Sequence, residues 1–309
     1  MTSTLGERTA DESTHFYTWK NYRCAYSIHA STQAEISGSP LLLIHPIGVG
    51  LSRHFWDRFC NQWLEAGYSN PIYNPDLLGC GMSNMPRVAY TPNDWAQQLL
   101  YFLQTTIGQP VIVVVQGALL PVALDLVKLL PEPDLIKGLV LSGPPPWQLM
   151  RKKTPQWRQR LLWNVLFDSP VGTAFYRYAR RPQFLQSFST KKLFDSAKAV
   201  DAEWIDTLLE GAALMESRYA VFSFLAGFWR QDYSDSFAAI TQPTLIVMGE
   251  TASSIGVTGS SETSSQRLAN YMNYLTNFQG MRIAGRNVLP YESSDKFVEA
   301  IAPFVKNLS

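Results

Sequence analysis

The chain has 309 residues, enough for one large domain with an insertion or for two domains. Its composition is 46% hydrophobic and 17% charged, with 9 Trp, 14 Tyr and 16 Phe, which is that of a folded globular protein and excludes a disordered one. A formal net charge of +1 argues against nucleic acid as a partner, and no metal-ligand spacing or cofactor fingerprint is visible, so no metal and no cofactor are expected.

Met1–Thr14 is polar and mixed in charge, with no apolar h-region, so no secretory signal is expected. Phe16–Lys20 and Tyr22–His29 read as two short strands. Pro40–Ile44 is a continuous apolar run, as for a strand buried on both faces; a loop, His45–Gly50, and an amphipathic helix, Phe55–Glu65, follow. Pro71–Pro75 is another strand and leads into the turn Asp76-Leu-Leu-Gly-Cys-Gly-Met-Ser83. Thr91–Thr106 predicts a helix with Thr91 as N-cap and Pro92 at its first position.

Val111–Val115 is a β-branched strand that ends in a tight turn and an apolar helix to Leu130, stopped by Pro131-Glu-Pro133. Val111–Leu130 is largely apolar, but Gln116, Pro121, Asp125 and Lys128 fit a buried strand and core helix better than a membrane span. Leu139–Ser142 is a further strand. From Trp147 to Ala239 helical periodicity dominates, as in Trp157–Phe167 and Ala202–Leu209. Alternation resumes with a strand at Pro243–Met248 and a Ser/Thr-rich loop, Thr251–Ser265, read as flexible surface. A helix near Gln266–Leu275, a strand near Gly280–Ile283 and an amphipathic helix at Phe297–Val305 complete the chain.

Strands alternating with helices predict an α/β protein with a mostly parallel sheet covered on both faces. The core is expected from residues 1–146 and 240–309, with a helical insertion at 147–239. Cys24, Cys60 and Cys80 form an odd, sparse set without C-x-x-C spacing, which suggests reduced thiols in a cytosolic setting.

Four segments carry a resemblance. Leu43-Ile-His-Pro-Ile-Gly48 looks like the loop after a third strand, and Asp76–Ser83 like a D-x-x-G-x-G-x-S turn. Pro243–Glu250 looks like the strand before an acid loop, and Gly285-Arg-Asn-Val-Leu-Pro-Tyr-Glu292 like a G-x-H-x-x-x-x-E segment. Over nearly its whole length the chain resembles the α/β-hydrolase family, and within it is similar to a cyanobacterial and chloroplast group. The resemblance implies the α/β-hydrolase fold, with residues 147–239 as an inserted helical cap.

In that family Gly-x-Ser-x-Gly places a nucleophile at the apex of a strand–turn–helix. Acyl transfer also needs a base and a group to orient it. Here the five places read Val115-Gln116-Gly117-Ala118-Leu119, with Gly117 at the apex. A register one residue earlier puts Gln116 there and also gives no nucleophile. The histidine position, five before Glu292, falls on Asn287, whose amide does not titrate near neutral pH. The acid position, three after Gly249, falls on Ala252, and the other place for an acid, after Leu141, offers Ser142 and Gly143. All four histidines (His15, His29, His45 and His54) lie early in the chain.

The resemblance maps two oxyanion-type amide donors to Ile47 and Ala118, which would hold a carbonyl or carboxylate, or simply water. Together with Gln116, His45 and Leu119 they form the expected ligand-binding set, with His45 equally suited to ordering its loop. Leu119 and Leu120 predict a bulky, apolar pocket floor. Cys80 and Ser83 read as turn residues.

Between Arg151 and Lys192 stand ten basic residues: Arg151, Lys152, Lys153, Arg158, Arg160, Arg177, Arg180, Arg181, Lys191 and Lys192. Asp168 is the one acid among them, giving +9 in a chain of net +1. Interleaved aromatics such as Trp157, Trp163, Phe175, Tyr176 and Tyr178 allow two readings. Either the cap is an ordinary amphipathic layer, or it is a surface for an acidic partner or an anionic membrane. The expected function is non-hydrolytic binding of an apolar ligand or a protein partner, in the cytoplasm or peripheral to an internal membrane. The alternative is an unconventional hydrolase or lyase acting on a lipid or pigment ester.

Overall fold

A computed structural model describes residues 14–30, 37–254, 262–274 and 277–309 of the chain. Among these, the strands are β1 (Thr14–Trp19), β2 (Tyr22–His29), β3 (Leu41–Ile44), β4 (Ile72–Pro75), β5 (Val111–Gln116), β6 (Ile136–Ser142), β7 (Thr244–Gly249) and β8 (Phe278–Ile283). They form one sheet in the order β1-β2-β4-β3-β5-β6-β7-β8. β1 and β2 form an antiparallel hairpin that turns at Lys20 and Asn21, both at positive φ, as a two-residue turn between twisted strands requires. β2 also meets β4 antiparallel, and from β4 to β8 every pairing is parallel.

The helices before the insertion are α1 (Asp57–Glu65), α2 (Pro92–Phe102) and α3 (Leu120–Leu129). Between β6 and β7 lie α4 (Trp147–Met150), α5 (Gln156–Leu161), α6 (Pro170–Ala179), α7 (Pro182–Phe188), α8 (Ala202–Gly211), α9 (Arg218–Ala226) and α10 (Ser234–Ala238). After them come α11 (Ser264–Tyr274), α12 (Leu289–Glu292) and α13 (Ser294–Asn307).

The sheet separates two apolar cores. Val111, Val113 and Val115 of β5 face one side, packed with α2 and α3. Ile112 and Val114 face the other, packed with α1, α12 and α13. This two-sided burial is why β5 reads as an unbroken β-branched run. Val111–Leu130 is thus a buried strand and a core helix, and among the described residues no helix is long and apolar enough to cross a membrane.

Local chemistry sets the element ends. Thr91 Oγ1 accepts the Asp94 N–H, while the Asp94 carboxylate accepts the Thr91 N–H, closing a capping box at α2. After Phe102 that helix widens into a π turn over 103–107 and ends at Gly108 in the left-handed region. β6 starts three residues before the expected Leu139, because Lys137, which is exposed, and the side-chain-less Gly138 hide its first half from an apolar pattern. α11 begins at Ser264, so the end of the Ser/Thr-rich segment is helical; residues 255–261 of that segment lie outside the described residues. All three cysteines are buried free thiols.

The turn after β4 joins the first half of the sheet together. Asp76 is fully buried and accepts from the Arg53 N–H (2.9 Å), the Arg53 guanidinium and the Met82 N–H (2.8 Å). Arg53 reaches on to Thr14 Oγ1 at 2.8 Å. The Asp76 carbonyl accepts from Ser83 Oγ and Gln98 Nε2, and Ser83 Oγ in turn accepts the Ala25 N–H. Gly81, at φ 54°, is required here: a Cβ would fall on the Asp76 carboxylate.

Replacing Arg53 with Met leaves Asp76 buried without its counter-ion. A loss of about 3–5 kcal/mol is expected in urea unfolding, compared with wild type. A second expectation concerns Asp125 on α3, which burial raises to about 6 against a partial offset from Lys128. The unfolded chain, with its carboxyl near 3.9, releases this proton first, so folding stability falls as pH rises from about 4 to about 6. Asp125→Asn should therefore melt higher than wild type at neutral pH, by about 1–2 kcal/mol after allowance for partial exposure, and equally at pH ~4.

Candidate functional site

The positions read from the sequence converge on the C-terminal edge of the sheet, where parallel α/β sheets present their ligands. β5 ends with Gln116 in extended backbone (φ −101°, ψ 125°), and Gly117 follows at φ 62°. A short 3₁₀ turn, Gly117–Leu119, then runs into α3. The apex of this strand–turn–helix is therefore Gly117. A Cβ at Gly117 would meet nothing within 4 Å beyond its chain neighbours. Space for a larger side chain is present; what glycine supplies is the left-handed backbone.

Ile47 and Ala118 sit at equivalent distances beyond two adjacent strands, β3 and β5. Ile44 pairs with Val115, and each of the two amides lies three residues beyond that pairing. Among the described residues neither the Ile47 nor the Ala118 N–H has a hydrogen-bond acceptor, and both residues are partly exposed. Two unengaged donors thus flank the apex.

The other members of the expected binding set behave differently. His45 is fully buried; its Nε2 accepts the Leu77 N–H at 3.1 Å and its Nδ1–H donates to the Pro46 carbonyl at 2.8 Å. Burial holds its pKa below the usual histidine range, so it stays neutral. It orders the loop after β3 and has no atom left for a ligand, which corrects its place in the set. Leu119 is likewise wholly inside the α2–α3 core and forms no pocket floor. Gln116 is buried, with Nε2 donating to the Asn287 carbonyl at 2.7 Å. Gln116 Oε1 and the neighbouring Ser142 Oγ, on register-paired positions of β5 and β6, have no partner among the described residues.

Asn287 follows β8 and is committed on every side. Its Nδ2 donates to the Lys192 carbonyl at 2.7 Å, its Oδ1 accepts the Ser253 N–H at 3.3 Å, and its backbone N–H donates to the Leu193 carbonyl at 3.0 Å. Ser253 stands directly after Ala252, itself nearly buried. Where a histidine would face a carboxylate, a carboxamide faces a backbone amide. Arg286 reinforces the junction, with Nε on Ser253 Oγ at 2.9 Å and Nη1 on the Lys191 carbonyl at 2.9 Å. Glu292 folds back onto the Arg286 and Asp195 N–H groups, and its burial raises its pKa.

Arg53, Ser253 and Arg286 were not signalled by the sequence pattern, since their contacts are to backbone or to residues distant in sequence. Cys80 is buried, and burial pushes its thiol well above the usual range, which makes it unreactive. Ser83 is a turn residue by its hydrogen bonds.

Two surface clefts lie away from the apex. One, of about 440 Å³, lies between the inserted helices and the loop before α2, lined by Arg87, Asp168, Thr173, Arg177, Arg218 and Tyr219. Arg87 holds Asp168 through both carboxylate oxygens there. The other, of about 580 Å³, is at the opposite end of the sheet, around Ile136, Gln242 and Leu308. Of the expected surface cations, Arg151, Lys152, Lys153, Arg158, Arg160 and Arg181 are exposed, while Arg180 is half-buried and donates to the Ala212 and Ala213 carbonyls.

Comparison with known proteins gives a consistent architecture. A family model described as "Alpha/beta hydrolase family" matches residues 41–300. No curated protein sequence matches the chain. Among solved structures, a thermophilic esterase from Thermogutta terrifontis superposes with a TM-score of 0.67 at 17% identity, over 93% of this chain and 94% of the other. A bromoperoxidase from Bacillus anthracis gives 0.68 at 19% identity, over 95% and 100%. A haloalkane dehalogenase from Bradyrhizobium elkani gives 0.69 at 18%, over 96% and 98%. At these identities the likeness is one of fold.

Gly117→Ser forces a side chain into the left-handed region with no steric relief to gain. It should lower stability by about 1–3 kcal/mol, read as a drop in melting temperature. A variant that melts at or above wild type would count against Gly117 as the apex.

Proposed function

The chain belongs to the alpha/beta hydrolase family, and we propose that within it this protein binds rather than hydrolyses. Its ligand, in this reading, is an apolar molecule carrying a carbonyl or carboxylate, held at the apex by the Ile47 and Ala118 amides. The observation that carries the reading is the apex itself: Gly117 keeps the strained turn and open space while offering no nucleophile. The commitment of Asn287 to Lys192 and Ser253 supports it, because an amide held in this way cannot accept and return a proton near neutral pH. His45, neutral and bonded through both nitrogens, cannot substitute.

Backbone N–H donors suit this task. They cannot be lost by side-chain substitution, and in a site shielded from water they hold an oxygen more strongly than in solution. With glycine at the apex, the same geometry would retain the ligand unchanged.

The test pairs two measurements on the purified protein. Short-chain aryl esters should be turned over no faster than by a denatured control, and a serine-reactive fluorophosphonate should label no residue. Mass spectrometry of molecules released on denaturation should recover an apolar carbonyl or carboxylate compound. Turnover, or labelling mapped to one residue, would replace this reading with unconventional hydrolysis. Recovery of a protein alone would move the binding role from the apex to a partner surface.

A further inference from the structure

The inserted helices divide their apolar side chains between two directions. Trp163 and Tyr176 point inward, Tyr176 fully buried with its hydroxyl on Ser217 Oγ at 2.7 Å. Trp157, Leu161 and Val165 point outward at 68%, 51% and 66% exposure. Their spacing of four residues aligns them along α5 and the π turn that continues it. On α6, Val171, Phe175 and Tyr178 recur at helical spacing and are 63%, 42% and 52% exposed. Two consecutive helices thus each carry an apolar stripe that nothing among the described residues covers. Isolated exposed apolar residues are ordinary, but a concentration of this kind marks an interaction surface.

The charges around the stripes are of one sign. Arg158 and Arg160 adjoin Trp157 and Leu161, Lys152 and Lys153 precede them, and Arg177 and Arg181 flank Tyr178. Among the described residues none of the ten cations between Arg151 and Lys192 pairs with a carboxylate. The single acid in that stretch, Asp168, is neutralised by Arg87 from outside it. Protein–protein interfaces are depleted in lysine and tend to match their charges across the contact. A stripe bearing Trp and Tyr, bordered by unpaired Lys and Arg, is instead the composition that seats in the headgroup region of an anionic leaflet.

We propose that the outer face of α5 and α6 docks this protein peripherally on an anionic lipid bilayer, with Trp157, Leu161, Val165, Val171, Phe175 and Tyr178 entering the interface. The proposal is independent of the apex and stands whether or not the protein hydrolyses esters.

Co-sedimentation with vesicles of phosphatidylcholine alone, or of equal parts phosphatidylcholine and phosphatidylglycerol, tests it at low and high salt. Wild type should pellet with the anionic vesicles, far less with the neutral ones, and less at high salt. Arg158→Glu with Arg160→Glu should weaken partitioning about tenfold or more. Trp157→Ala with Val165→Ala should weaken it as well, while melting temperature stays at the wild-type value because both side chains are exposed. Absence of binding to anionic vesicles, equal binding to neutral ones, or full binding by the Trp157/Val165 variant would each overturn the proposal. So would a wild-type dimer in solution that this variant converts to monomer, since a second copy would then be the occupant.

Discussion

The buried pair of Asp76 and Arg53 is the constraint around which the site-bearing half of the molecule is arranged. Two full charges removed from water carry a desolvation cost that only excellent geometry can offset. Asp76 receives three hydrogen bonds, and Arg53 adds one to β1. The peptide groups beside the pair draw in β2 through Ser83, α2 through Gln98, and the loop after β3 through His45. That loop carries Ile47, so the position of one apex amide follows from a charge pair beside the end of the neighbouring strand β4. The second amide is set by β5, which pairs with β3 in the register Ile44–Val115.

This arrangement separates two properties that usually occur together in such a site. Preorganised donors are retained at the apex, but the groups that would titrate are absent or engaged elsewhere. His45 is held neutral by burial, Glu292 is taken up by the Arg286 and Asp195 N–H groups, and Asn287 is a structural tie. The electrostatic environment can stabilise an oxygen without supplying a proton relay.

Much of the architecture was legible from residue pattern. The continuous apolar runs at Leu41–Ile44 and Val111–Val115 announced buried parallel strands, and Thr91-Pro92 announced the start of α2. The strand before Leu139 was hidden because Lys137 and Gly138 interrupt its apolar signal. At the site, sequence could place Gly117, Ala252 and Asn287 at corresponding positions along the chain. It could not show what their backbone and amide groups touch, since Lys192 and Ser253 meet Asn287 only in three dimensions. His45 and Leu119 stand beside the Ile47 and Ala118 amides in sequence, but nearness along the chain says nothing of which way a side chain points. The cationic stretch was plain in composition, whereas its outward stripe needed the burial of each aromatic.

The hydrogen bonds of Asn287 also bear on what this position tolerates. A carboxamide offers its donor and acceptor from a single carbon, and here they join Lys192 of the insertion to Ser253 beyond β7. An imidazole places its two nitrogens on different sides of a ring and cannot easily make the same pair of bonds. Asn287→His would therefore loosen the tie between Lys192 and Ser253. One side chain at position 287 thus couples the segment between β6 and β7 to the loop that follows β7.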